Sequence, residues 1–278
     1  MGLRINTNVA SLTAQRSLGQ VTEKQNTTLN KLSSGTRINR AADDAAGLAI
    51  SEKLKASIKG INQANRNAND GISLIQTAEG GLNEISNILV RLRELSVQAA
   101  SDTVGDPERN FTDIEYQNLK SEIQRISQVT EFNGKKLLNG TGMTYDFQIG
   151  INNNQFEDRI SYNAATTNST LESLGVNELS VQTKEGSQTS LSFIDEAIKR
   201  ISGQRADLGA VQNRLVSTST NLQGMSENLS AANSRIRDTD FASETAENVR
   251  LNILSQAGTA VLAQANTGQG QAAMKLLS

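Results

Sequence analysis

The stretch SSGTRINRAADDAAGLAI, residues 33–50, sets two adjacent carboxylates, Asp43 and Asp44, behind two guanidinium groups, Arg37 and Arg40. Carboxylates that share a proton can act as acid and base. Neighbours on a helix point about 100° apart, however, so these two cannot converge on one proton. The local pattern reads as mechanical instead. Asp43 is the expected N-cap of a long helix, and Asp44 in the first turn would favour its macrodipole. Gly35 ends the preceding helix and leaves 35–42 as a connector. Arg37 and Arg40 are then either solvated or used in ion pairs between copies of the chain.

Composition narrows the chemistry further. The 278 residues include no His and no Cys, which removes imidazole bases, thiol nucleophiles and the usual zinc ligands. Aromatic content is 3% with no Trp, little for lining a pocket. The reading is therefore not an enzyme, with no cofactor. Net charge is −2, and no basic run interleaves with aromatics, so nucleic acid is not an expected partner. No apolar stretch approaches the roughly 20 residues of a membrane span. The N-terminal MGLRINTNVASL has no secretory-signal core.

Pro107 is the only proline, so long helices are possible on both sides of it. Ile61, Ala64, Ala68, Gly71, Ile75, Ala78, Leu82, Ile85, Leu89, Leu92, Ser96 and Ala99 keep a spacing of three and four, a heptad seam with many small members. Gly71 weakens that helix locally, by about 1 kcal/mol relative to Ala. Ile194, Ile201, Leu208, Leu215, Leu222, Leu229 and Ile236 recur every seven residues, a second coiled-coil signal. A shorter helix fits 113–129, with Tyr116, Leu119, Ile123 and Ile126 on one face and Thr112 and Glu115 as a capping box. The period then switches to two. Tyr145, Phe147, Ile149 and Ile151 share one side of a strand, NNNQ turns, and FEDRISY returns. Residues 163–189 read as loop with short pieces of structure.

The two ends carry apolar stripes. Ile5, Val9 and Leu12 open a helix to about Leu32, and Val249, Ile253, Ala257 and Val261 step by four. Isolated helices of this kind are marginal in water, so the stripes must be covered by each other or by another chain. The fold class is mainly α: a long antiparallel coiled-coil rod with a small β-hairpin and paired N- and C-terminal helices.

The segments LRINTNVASLTAQRSL, LSSGTRINRAADDAAGLAIS, NDGISLIQTAEGGLNEI, LVRLRELSVQAA, EFNGKKLLNG and SRIRDTDFASETAENVRLNILSQAGTAVLAQAN resemble those of bacterial flagellin. The resemblance covers about 1–140 and 190–266, in order. It implies a subunit that self-assembles into the flagellar filament, outside the cell, for swimming motility. It also implies export unfolded, through the flagellar type III channel, without a cleaved signal. Residues 1–34 and 240–278 would be inner-tube helices, 35–43 a connector holding Arg37, Arg40, Asp43 and Asp44, and 44–239 an outer-tube domain with its hairpin near 144–162. The middle is short, so the variable outer domains of many flagellins are absent. Polymerisation would draw on Ile5, Val9, Leu12, Val249, Ile253, Ala257, Val261 and Leu262. Partners implied are the chain itself, the flagellar cap, hook–filament junction proteins and a flagellin export chaperone. Glycosylation on exposed Ser or Thr, common in flagellins, would fall in 163–190.

RLREL also resembles the segment contacted by the vertebrate Toll-like receptor that senses flagellin. The matching residues are Arg91, Leu95 and, on the next helix, Glu115. Arg91 points away from the Leu89/Leu92 seam and is open to a partner; Leu95 is either contact or core. Val90 departs from the polar residue usual at its position. Two other readings stand beside the filament subunit: a hook–filament junction protein with related terminal helices, and an unrelated coiled-coil scaffold. A metalloprotease insert, which some flagellins carry, needs H-E-x-x-H and is impossible without histidine.

Overall fold

The computed structural model describes residues 7–277, with side chains through 268. The chain divides into two compact units. One takes the chain up to Ala56 and from Asn228 onward; the other spans Ser57–Glu227. Six α-helices, two small hairpins and one 3-10 turn make up the described residues: α1 Val9–Ser34, α2 Ala45–Ala99, α3 Asp106–Val129, β1 Glu131–Phe132, β2 Lys135–Lys136, β3 Thr144–Gln148, β4 Arg159–Asn163, the turn Ala164–Thr166, α4 Leu171–Leu174, α5 Lys184–Arg237 and α6 Phe241–Leu277.

In the Ser57–Glu227 unit, α2 and α5 run antiparallel. Asn62 accepts from Ser226, Asn65 from Ser219, and Arg93 donates to Asp195 at 2.7 Å, so numbers rise along one helix as they fall along the other. Every seam residue from Ile61 to Ala99 is buried. From α5, Ile194, Ile201, Leu208 and Leu215 reach 0–1% exposure against them. Removing this much apolar surface from water is what holds the helices together. Gly71 does not interrupt α2. The Phe147 ring lies 3.0 Å from where its Cβ would be, so the missing side chain makes room for the hairpin.

Helix α3 begins earlier than the capping box at Thr112 implied. Pro107 sits in its first turn, where a missing N–H costs nothing. Thr112 lies mid-helix and donates to Glu108 O. Arg109, nearly buried, then reaches back to the end of α2, donating to Ala99 O and Ser101 O at 2.9 Å each. Ala99 is the last residue of α2, so its carbonyl has no partner within the helix, and the cation suits the negative end of the helix dipole. Tyr116 and Ile123 are fully buried, with Leu119 and Ile126 packed at the core's edge.

The hairpin β3–β4 pairs Thr144 with Asn163 through Gln148 with Arg159. It is shorter than the alternation suggested. Ile149 and Ile151 lie beyond the strand, in a loop gathered by Asp158, whose carboxylate accepts from Asn154 N at 2.9 Å and whose carbonyl accepts from Ile149 N. Ile151 packs over Gly60, while Phe156 stands 93% exposed. A second hairpin, β1–β2, is closed by Asn133 and Gly134, both with positive φ. That pair is the type I′ signature.

Residues 163–189 are loop with short pieces of structure, the turn Ala164–Thr166 and α4 before α5 starts, and the segment also contributes to the core. Leu171, Leu174, Val176 and Val181 join the core, and Ser169, Ser187 and Ser190 are also buried. Two charged residues of α3 make this possible. Asp113 accepts from Val181 N, Ser180 Oγ, Gln182 Nε2 and Gln117 Nε2, and Lys120 Nζ donates to Asn177 O and Leu179 O. Buried backbone groups that would otherwise be orphaned are thereby satisfied.

Candidate assembly surface

The second unit is built on α1 and α6, again antiparallel. Asn8 caps α1 by accepting from Ser11 N, and its Nδ2 donates across to Ala265 O at 3.0 Å. Gln25 donates to Asn252, and Lys31 lies 3.7 Å from Glu244. Leu18 packs 3.2 Å from where Gly258 would carry a Cβ. Small and polar groups thus mediate the contact. Ser11, Thr28 and Leu251 are buried by it.

The apolar stripes read from sequence face outward. Val9 is 62% exposed, Leu12 52%, Val249 52%, Ile253 60% and Val261 58%. Ala257 is exposed too, and Leu262 is half-buried. Val9, Ala10, Ala14, Leu18, Leu254 and Val261 line one shallow groove between the helices. Ile5 lies outside the described residues. Pairing of the two ends therefore leaves the stripes uncovered within one chain.

The connector is fixed at both sides. Gly35, at φ 68°, ends α1 by donating its N–H to Lys31 O, as a left-handed cap does. Thr36 bridges Asp238, Arg37 N donates to Arg237 O, and Thr239 N donates to Gly35 O. The Arg37 guanidinium donates to Ile236 O at 2.8 Å, so it caps the end of α5 within its own chain. Arg40 is exposed. Neither aspartate has the role expected of it. Asp44, not Asp43, is the N-cap of α2: its Oδ1 accepts from Gly47 N at 2.9 Å. Asp43 turns back and accepts from the N–H groups of Asn39 and Arg40. Those two backbone donors hold its carboxyl below the usual carboxylate range. The connector's own turn competes for the first aspartate, and the helix takes the second. Ile38, 1% exposed, anchors the connector and was missed because no periodic pattern surrounds it.

In the other unit, Arg91 is half-exposed but not free. Its Nε and Nη2 donate to Glu115 Oε1 at 3.0 and 2.8 Å, and Nη1 donates to Glu94. The Glu115 hydrogen bond, then that of Glu94, raises the guanidinium pKa. Glu115 is a partner of Arg91 and not a capping acid. Leu95 is 2% exposed and belongs to the core.

Residues 5–143 match the profile of the bacterial flagellin N-terminal helical region, and 191–277 that of its C-terminal helical region. The chain is 46% identical over 277 residues to a flagellin of Halalkalibacterium halodurans, covering 98% of this chain and 99% of the relative. It is 44% identical over 314 residues to a flagellin of Bacillus subtilis, covering 99% and 100%. The crystal structure of Bacillus cereus flagellin superposes with a TM-score of 0.51 at 32% identity, covering 60% of this chain and 94% of that one. Identity to flagellins over nearly the whole chain favours the filament subunit over a junction protein or an unrelated scaffold. The chain belongs to the bacterial flagellin family.

Proposed function

We propose that this flagellin, a structural subunit of the bacterial flagellar filament, polymerises through the outward faces of α1 and α6. One observation carries the reading: the paired terminal helices keep Val9, Leu12, Val249, Ile253 and Val261 more than half exposed. Burying one such side chain stabilises a contact by about 1.5–3 kcal/mol. Repeated along a stack of identical subunits, this is enough to offset the cost of association. Residues 1–34 and 240–278 then form the inner tube layer, 35–43 the connector and 44–239 the outer layer. The connector's bonds from Arg37 to Ile236 and from Thr239 to Gly35 support that role by tying the two chain crossings together. The subunit reaches the filament by flagellar export without a cleaved signal. Before assembly an export chaperone covers the apolar faces, and cap and junction proteins meet them at the filament's ends.

A chain lacking 258–278 tests the assignment. It keeps the buried seam of α2 and α5 but loses the groove wall at Gly258 and Val261. The expected product is soluble, helical and monomeric, and neither seeds nor extends filaments in turbidity and electron-microscopy assays. Normal tubes from the truncated chain would refute it.

A second reading concerns recognition by the vertebrate flagellin-sensing receptor. Arg91 and Glu115 lie paired on the surface, while Leu95 is in the core. Their exposed side chains favour this patch as the contact.

A further inference from the structure

We propose that Asn133 is a site of spontaneous deamidation in the folded protein, and that the neighbouring Asn139 is protected from the same reaction. The chain contains two Asn-Gly steps, Asn133-Gly134 and Asn139-Gly140, six residues apart in sequence and unlike in structure. In this chemistry the Gly nitrogen attacks the Asn side-chain carbonyl carbon. An N–C bond forms, the Cγ–Nδ2 bond breaks, and ammonia leaves with the proton from the Gly N–H. Water then opens the five-membered imide at either carbonyl. The product is aspartate, or isoaspartate with the backbone routed through the side chain. No oxidant or reductant is needed, and the net change is amide plus water to carboxylate plus ammonium.

Glycine favours ring closure because no Cβ blocks the approach of its nitrogen. At Gly134 nothing lies within 4 Å of a Cβ position, and both Asn133 and Gly134 are exposed. No hydrogen bond from a described residue holds the Asn133 side chain. Ring closure requires the turn to leave its positive-φ geometry (Asn133 at 49°, Gly134 at 74°). Two cross-strand pairs, Glu131 with Lys136 and Phe132 with Lys135, hold the turn, with the surface Lys136–Glu131 ion pair and a bond from Leu137 N to Thr130 O at the base, away from the Asn133 tip. So short a hairpin frays readily.

Asn139 stands in a different setting. Its Oδ1 accepts from Thr141 N at 3.1 Å and Thr141 Oγ1 at 2.8 Å, which fixes the amide. Asn168 crowds Gly140, with its Nδ2 2.5 Å from a Cβ position. The step follows Leu137 and Leu138, both 0% exposed, and Leu138 O accepts from Ser169 N. Opening this turn means pulling core residues into water. The exposed hairpin step ages, and the half-buried bend at Asn139 does not. Conversion at Asn133 puts a new carboxylate beside Glu131, and the isoaspartate form adds a backbone carbon that a two-residue turn cannot absorb.

The test incubates the intact protein at mildly alkaline pH and 37 °C for weeks, beside a urea-denatured sample. Trypsin separates the two steps, placing Asn133 in peptide 126–135 and Asn139 in peptide 137–159. Mass spectrometry with fragment assignment reads conversion at each. In denatured protein both sites should convert at similar rates. In folded protein Asn133 should convert about tenfold faster than Asn139 or more. Thr141→Ala should raise the rate at Asn139 and leave Asn133 unchanged. Equal rates at both sites in the folded chain, or conversion only after denaturation, would overturn the proposal.

Discussion

Asp113 Oδ1 accepts the backbone N–H of Val181 at 2.9 Å, so one carboxylate of α3 ties down a segment far along the chain. Burial alone pushes that carboxyl's pKa up. The bonds from Val181, Gln117, Gln182 and Ser180 outweigh it, and the net shift is downward. A carboxyl with a depressed folded pKa contributes stability above its unfolded pKa, about 4, and loses it as pH falls through the folded value. Asp113→Ala should therefore cost about 1–3 kcal/mol at neutral pH, the penalty of unsatisfied buried donors. The gap from wild type should narrow in acid below pH ~4. Thermal melts across pH check both. A gap that is constant down to pH ~2 would contradict the linkage.

Gly71 faces the Phe147 ring at 3.0 Å. Helix propensity favours almost any residue over Gly there, by up to about 1 kcal/mol. Packing predicts the opposite for a large one. Gly71→Leu should displace Phe147 and destabilise by about 1–3 kcal/mol, as overpacking does. Denaturant titration of the full chain reads the sign, and a stabilised variant would show that the ring moves freely.

Limited proteolysis should strip the monomer from its ends. Between α1 and α6 the buried residues among the described side chains are Ser11, Thr28 and Leu251, whereas Ser57–Glu227 holds a continuous core. Helices with so little buried surface open at low cost. The expected resistant fragment covers roughly 50–235, read by mass spectrometry. In polymer the same sites should be protected. Termini as resistant as the core in free monomer would undo the argument from uncovered stripes.

Arg91→Ala should lower activation of the flagellin-sensing receptor about thirtyfold, the scale of a lost interface arginine. Circular dichroism should not change, because the Arg91–Glu115 pair is solvent-exposed and such pairs add little to stability. An unaltered dose–response curve would remove Arg91 from the contact.

The long helices were legible because burial imposes a period. Leucine and isoleucine at every seventh position can be satisfied in few ways, and α5 from Ile194 to Leu215 buries each of them. Gly35 was legible for a similar local reason, since its backbone conformation is one other residues avoid. The flagellin resemblance added the filament. Choices between near-equal local options were left to the tertiary structure. Either aspartate could cap α2, and the connector's need for a carboxylate at Asn39 and Arg40 assigned Asp43 elsewhere. Residues 163–189 look polar and loop-like, yet Asp113 and Lys120 supply the hydrogen bonds that let Val176 and Val181 enter the core. Local sequence encodes which faces are apolar. Which groups meet across sequence distance, and so which polar atoms can afford burial, is decided only when the helices have packed.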